Sequence, residues 1–103
     1  MANYRSRLDI IADILRVASR NPKKTQIMYQ ANLSYRILQR YLSEVSEASL
    51  ISFNPDSQYY TLTEKGKQFL NTYQQYSKNN KNIEKHLINI NNNKKILNDL
   101  CHS

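Results

Sequence analysis

Lys24-Thr25-Gln26-Ile27-Met28-Tyr29-Gln30-Ala31-Asn32-Leu33-Ser34-Tyr35-Arg36-Ile37-Leu38-Gln39-Arg40-Tyr41-Leu42 is the stretch that decides the fold. Thr25 suits an N-cap, and Gln26 to Ala31 then reads as a short helix burying Ile27 and Met28. Asn32-Leu33 is a tight turn. Ser34 opens a longer helix to about Ala48, with Leu38, Tyr41, Leu42 and Val45 along one face. Two helices joined by so short a turn have helix-turn-helix spacing.

Upstream, Leu8, Ile11, Ala12, Leu15 and Ala18 recur at spacings of three and four, which predicts a helix over Arg5–Ser19. Ile10, Ile14 and Val17 widen its stripe, as expected of a helix packed on more than one side. Asn21-Pro22 ends it, because proline disfavours α geometry in the residue before it. Downstream, Leu50-Ile51-Ser52-Phe53 and Tyr59-Tyr60-Thr61-Leu62 read as short strands. Asn54-Pro55-Asp56-Ser57-Gln58 between them is turn chemistry. Thr63 is an N-cap candidate for a last helix, with Glu64 placed against its positive N-terminal dipole. The order is helix, helix, helix, hairpin, helix: mainly α with a small β-hairpin.

Composition divides the chain near residue 63. Residues 1–62 hold 29 of the 41 apolar residues, enough for a core; residues 63–103 hold 12 and a run of asparagines. The expected domains are therefore 1–63 and 64–103. In the second, Phe69, Tyr73, Tyr76, Asn80, Ile83, Leu87, Ile90, Lys94 and Leu97 alternate spacings of four and three. That is an a/d seam over four heptads with Asn80 and Lys94 as polar interruptions. A helix from Glu64 to about Leu100 would be roughly 55 Å long. A domain of 62 residues is about half that across, so a second copy is the economical cover for Phe69, Tyr73, Tyr76, Ile83, Leu87, Ile90 and Leu97. The alternative is an asparagine-rich tail that frays after Ser77.

The charge narrows the function. Lys+Arg exceed Asp+Glu by 15 to 8, a net charge of +7, which draws the chain to polyanions. One glycine argues against phosphate-cradling loops and dinucleotide turns. A single cysteine, Cys101, allows no internal disulfide and suits a reducing compartment. No apolar run is long enough to span a membrane, and Met1-Ala2-Asn3-Tyr4 opens no signal peptide, so a soluble cytoplasmic protein is expected. His86, His102 and Cys101 have no metal-ligand spacing, and no catalytic motif appears. No enzyme activity, cofactor, metal or small-molecule ligand is expected.

The basic residues are organised. All six arginines precede residue 41, and residues 1–42 hold eight cations against Asp9 and Asp13. Arginine suits bidentate contacts to phosphate and guanine, while lysine acts as a point charge. On the third helix Arg36, Gln39, Arg40 and Ser43 lie opposite the apolar stripe, with Ser34 and Tyr35 in the first turn. Such a face is what reading a major groove requires. A wetted helix surface would also carry two arginines; the helix-turn-helix spacing favours the binding reading.

Lys24 to Tyr35, followed by Leu38 and Tyr41-Leu42, resembles the helix-turn-helix of archaeal winged-helix DNA-binding proteins. Tyr60-Thr61-Leu62-Thr63-Glu64-Lys65-Gly66, with Phe69-Leu70 and Tyr73, is similar to their second wing strand and the entry to their last helix. The family is that of the ten-kilodalton, Sulfolobus-type chromatin-associated proteins and related predicted archaeal transcriptional regulators. The resemblance covers about residues 8–76. It implies a winged helix, a homodimer joined by an antiparallel coiled coil of the last helices, and double-stranded DNA as partner in the nucleoid. It places contacts at Ser34, Tyr35, Arg36, Gln39 and Arg40, beside the basic Lys23 and Lys24. Three residue patterns depart from it: Ser49 stands where glycine is frequent, the hairpin tip carries Asp56 without Lys or Arg, and the tail is rich in asparagine. The rival reading is a protein-interaction module that uses the winged-helix surface and the coiled-coil tail. A membrane-surface helix is weaker, since the tail's apolar stripe is narrow.

Overall fold

In the computed structural model the chain folds as α1 (Arg7–Ala18), α2 (Lys24–Gln30), α3 (Tyr35–Glu47), β1 (Ile51–Asn54), β2 (Tyr59–Leu62) and α4 (Glu64–His102). The structure describes residues 5–102, apart from the side chains of Asn82, Glu84 and His102. The readings made at Met1–Tyr4 and on the imidazole of His102 lie outside the described residues. Two compact units result, Met1–Tyr73 and Gln74–Ser103.

The helix ends explain the boundaries. α1 begins later than the Arg5 expected, because Ser6 and Asp9 form a reciprocal capping box: the Asp9 N–H donates to Ser6 Oγ (3.2 Å) and the Ser6 N–H to Asp9 Oδ2 (3.0 Å). α2 begins at Lys24 rather than at Gln26, with Lys23 as its N-cap and Thr25 inside the first turn. The side chain of Gln26 causes this by accepting the Lys23 N–H at 2.8 Å. α3 starts as expected, Ser34 Oγ accepting the Ile37 N–H at 3.3 Å.

Both α2 and α3 end in the two-bond left-handed cap. Asn32 takes φ 54° and Ser49 φ 62°. Leu33 N–H returns to the Met28 carbonyl and Leu50 N–H to the Val45 carbonyl, at 3.0 and 2.9 Å. Asparagine enters this region readily; serine carries the full Cβ penalty there. Leu50 is drawn into the α3 cap, so β1 starts one residue later than predicted.

The hairpin is antiparallel in the register Ile51↔Leu62, Ser52↔Thr61, Phe53↔Tyr60, Asn54↔Tyr59. Asn54 Oδ1 accepts the Asp56 N–H at 2.9 Å, and the turn closes through Gln58 at φ 61°. The Tyr60 N–H donates to the Pro22 carbonyl at 2.9 Å, which pins the hairpin beside the start of α2.

One core closes the first unit. Ile14, Leu15, Ile27, Leu38 and Val45 are its largest fully buried side chains, each contributing about 1.5–3 kcal/mol. Phe69 and Leu70 of α4 pack against it. Tyr73 donates its hydroxyl to Asp9, stacks on Phe69 and lies under the Arg16 guanidinium. The second unit continues α4 without a break through the asparagines. Ile83, Leu87, Ile90 and Leu97 on it are 58%, 54%, 48% and 63% exposed. Cys101 is a free, exposed thiol.

Candidate nucleic-acid interface

α3 buries Leu38, Leu42 and Val45. Tyr35, Arg36, Gln39, Arg40 and Ser43 are exposed, the amphipathic division that places one side in the core and the other in solvent.

Five of the six arginines separate into two groups, while Arg20 lies exposed beyond the end of α1. Arg5 donates to Asp13 Oδ2 (3.1 Å) and to the carbonyls of Ala31 (2.6 Å) and Asn32 (2.7 Å), clamping α1 to the end of α2. Arg7 pairs with Glu44, and Arg16 with Asp13 at 2.9 Å. Arg36 and Arg40 enter no ion pair among the described residues. Half of the arginine charge is thus structural, and the exposed face of α3 keeps two guanidiniums in solvent.

Lys24 joins α2 to that face. Its Nζ donates to Gln39 Oε1 and to the Tyr35 hydroxyl (3.3 Å), and stands 4.6 Å from the centroid of the Tyr35 ring. Lys23 Nζ lies 5.5 Å from the Tyr59 centroid on the hairpin. Ser34 stands at the start of α3 with its hydroxyl engaged in the cap. The structure therefore brings Lys24, Tyr35 and Gln39 into contact, places Arg36 and Arg40 beside them, and turns Lys23 toward the wing.

The hairpin supplies what sequence reading missed. Tyr60 lines a cleft of about 320 Å³ with Lys24, Gln39, Leu42, Ser43 and Glu47. Tyr60 also packs against Phe53 and against the core. The cross-strand register carries the signal: Asn54 joins β1 opposite Tyr59, and the four-residue turn 55–58 then sets Phe53 opposite Tyr60. Among the described residues no group of His, Cys, Asp and Glu side chains could hold a metal ion. No helix among them is long and apolar enough to cross a membrane.

Two side chains have displaced acidities. The Tyr73 hydroxyl, followed by the Ser6 N–H, holds the Asp9 carboxyl below its ordinary value of 3.8. The same bond to Asp9, aided by burial, raises Tyr73 above 10.0. Both belong to the α1–α4 contact, away from the exposed face of α3.

A three-helix core with a helix-turn-helix, a two-stranded wing and a third helix that turns Arg36 and Arg40 to solvent defines a class of protein. The chain belongs to the winged helix-turn-helix family, whose model matches residues 4–81. Its structure is similar to that of Sso10a-2, a DNA-binding protein from Sulfolobus solfataricus, with a TM-score of 0.78 and 24% identity. The superposition covers 84% of this chain and 93% of that one, a likeness of fold. No curated protein matches the chain.

Proposed function

We propose that the protein binds double-stranded DNA through α3 as a homodimer, in the cytoplasm on the nucleoid, as a transcriptional regulator or an architectural chromatin protein. It is a binding protein and not an enzyme on this reading. The observation that carries it is the exposed face of α3. Arg36 and Arg40 stand without carboxylate partners among the described residues, next to the Lys24–Tyr35–Gln39 cluster. Guanidiniums that serve stability find acceptors, as Arg5 and Arg16 do; a pair left in solvent on a net charge of +7 suits phosphate and guanine. Ser34, Tyr35, Arg36, Gln39 and Arg40 would meet the groove, with Lys23 and Lys24 toward the backbone.

The dimer reading is supported by the exposed aliphatic positions of α4. Phe69 and Tyr73 are engaged within the first unit, so Tyr76, Ile83, Leu87, Ile90 and Leu97 would carry the seam, antiparallel as the sequence resemblance implies.

Duplex binding followed by anisotropy at several salt concentrations tests the proposal. Affinity should fall steeply with salt, the log–log slope rising by about 0.9 per neutralised phosphate. Arg36→Ala with Arg40→Ala should weaken binding more than about ten-fold, since each base-reading arginine contributes about 1–3 kcal/mol. The thermal midpoint should stay where it is, because neither side chain is buried or paired. Duplex affinity that ignores both salt and this double substitution would refute the reading and favour a protein-docking role.

A further inference from the structure

The wing offers a nucleic acid something other than charge. Residues 51–62 contain no Lys or Arg, and Asp56 is their one charged side chain. The hairpin therefore has no cation of its own to set against phosphate. What it presents is aromatic surface. Phe53 is 47% exposed, and its ring centroid lies 4.8 Å from that of Tyr60 across the strand pair, the planes tilted by 47°.

These two rings and Gln58 form one wall of a cleft of about 410 Å³, and Lys23, Lys24 and Thr25 form the other. No carboxylate lines it. The ammonium groups rest on neighbouring rings, Lys23 Nζ 5.5 Å from the Tyr59 centroid and Lys24 Nζ 4.6 Å from that of Tyr35. Two cations and the Phe53 and Tyr60 rings thus border one cleft, an electrostatic match for an anion that also has a flat, polarisable face. A nucleotide is such an anion. In a duplex both faces of each base are covered by its neighbours, so the base that could lie on Phe53 is an unpaired one.

We propose that this cleft binds an unpaired nucleotide of a single strand, its base stacked on Phe53 and its flanking phosphates at Lys23 and Lys24. The competing account is a cross-strand aromatic pair that only stabilises the hairpin. Tyr60 fits that account, since its ring also packs against the core. Phe53 does not, lying outside the core with about half its surface in water. The proposal borrows from the duplex reading only its preference for polyanions, and the two sites share Lys24.

The chain has no tryptophan, so Phe53→Trp in the full-length protein places a single reporter in the cleft. Saturating oligo-dT or oligo-U, each longer than a site of about 4–16 nucleotides, should quench its emission. A blunt, fully paired duplex should not. Phe53→Leu keeps apolar bulk but removes the π face, and should weaken single-strand binding about ten-fold with duplex affinity unchanged. Quenching by dT alone, by U alone or by both identifies the strand as DNA, RNA or either. Emission unmoved by both oligomers at saturation overturns the proposal, as does a Phe53→Leu variant that binds single strands like the parent. Single-strand quenching without any duplex binding would refute the duplex reading and leave this one standing. Duplex binding without quenching would do the reverse.

Discussion

Gly66, the one glycine of the chain, sits on the first turn of α4 where backbone and side chain crowd it. A Cβ there would lie 2.2 Å from the Leu50 carbonyl oxygen and 2.5 Å from Leu62 Cδ1. The carbonyl cannot retreat, because Thr63 holds it through its N–H (3.2 Å) and its hydroxyl (3.0 Å). Gly66→Ala should therefore destabilise the first unit by about 1–3 kcal/mol, the range for a methyl forced into a packed site. Chemical denaturation of the full-length variant checks this; an unchanged midpoint would mean that α4 can shift away from the wing. Ser49 shows the opposite economy. It holds φ 62° with a side chain present, and its carbonyl, 2.7 Å from the Thr63 hydroxyl, shares that single donor with the Leu50 carbonyl. Lys65 Nζ meets the neighbouring Ala48 carbonyl, also at 2.7 Å. These bonds satisfy carbonyls at the end of α3 and hold the turn without glycine.

At the scale of elements, the Asp9–Tyr73 hydrogen bond couples the N-terminus of α1 to α4. Asp9 is doubly employed, in the capping box and as acceptor for Tyr73. The ionised carboxylate is the form this arrangement favours, so its contribution is present above the ordinary carboxylate range. It is lost as pH falls through the lowered value in the fold. Tyr73 behaves conversely: its neutral hydroxyl is favoured, so the contribution holds below pH 10.0 and fades as pH rises through the raised value. Tyr73→Phe should lower the thermal midpoint by a few degrees at neutral pH, about one net hydrogen bond. The gap from the parent should stay constant between roughly pH 5 and pH 9 and narrow beyond both limits. Melts across that range decide it; a gap that does not vary with pH would assign the effect of Tyr73 to packing on Phe69.

At the scale of the molecule, the proposed dimer rests on surface that one chain leaves in water. Ile83, Leu87, Ile90 and Leu97 are each about half exposed or more. Burying each would contribute roughly 1.5–3 kcal/mol, of which side-chain ordering and association take back a large part. The full-length chain should sediment as a dimer at micromolar concentration. Truncation after Tyr76 keeps the first unit and should give a folded monomer. It should also bind duplex DNA more weakly, because two recognition helices held together raise each other's effective concentration. A full-length monomer at ~100 µM, where even an association of ~−6 kcal/mol would register, would exclude the coiled-coil dimer.

The order of the elements, the identity of the buried stripe and the solvent-facing side of the third helix, with Arg36 and Arg40, were legible in the sequence. Each depends on local periodicity: Leu38, Leu42 and Val45 recur at helical spacing, and Pro55 and Asp56 mark the turn. The length of the last helix was legible for the same reason, although asparagine propensity alone argued for fraying. The capping box at Ser6 and Asp9 is also local, but the apolar stripe drew the boundary two residues too early. What the tertiary structure decided is the employment of the charges and rings. Arg5, Arg7, Arg16, Arg36 and Arg40 are chemically alike along the chain. Only the return of Asp13, Glu44 and the end of α2 to the first three separates paired guanidiniums from the exposed ones on α3. Phe53 and Tyr60 likewise became one wall of a cleft only when the hairpin register paired them and the Pro22 carbonyl fastened β2 beside Lys23. Periodicity is a property of neighbours in sequence, whereas the partner of a charge or a ring is set by segments that meet only in the folded chain.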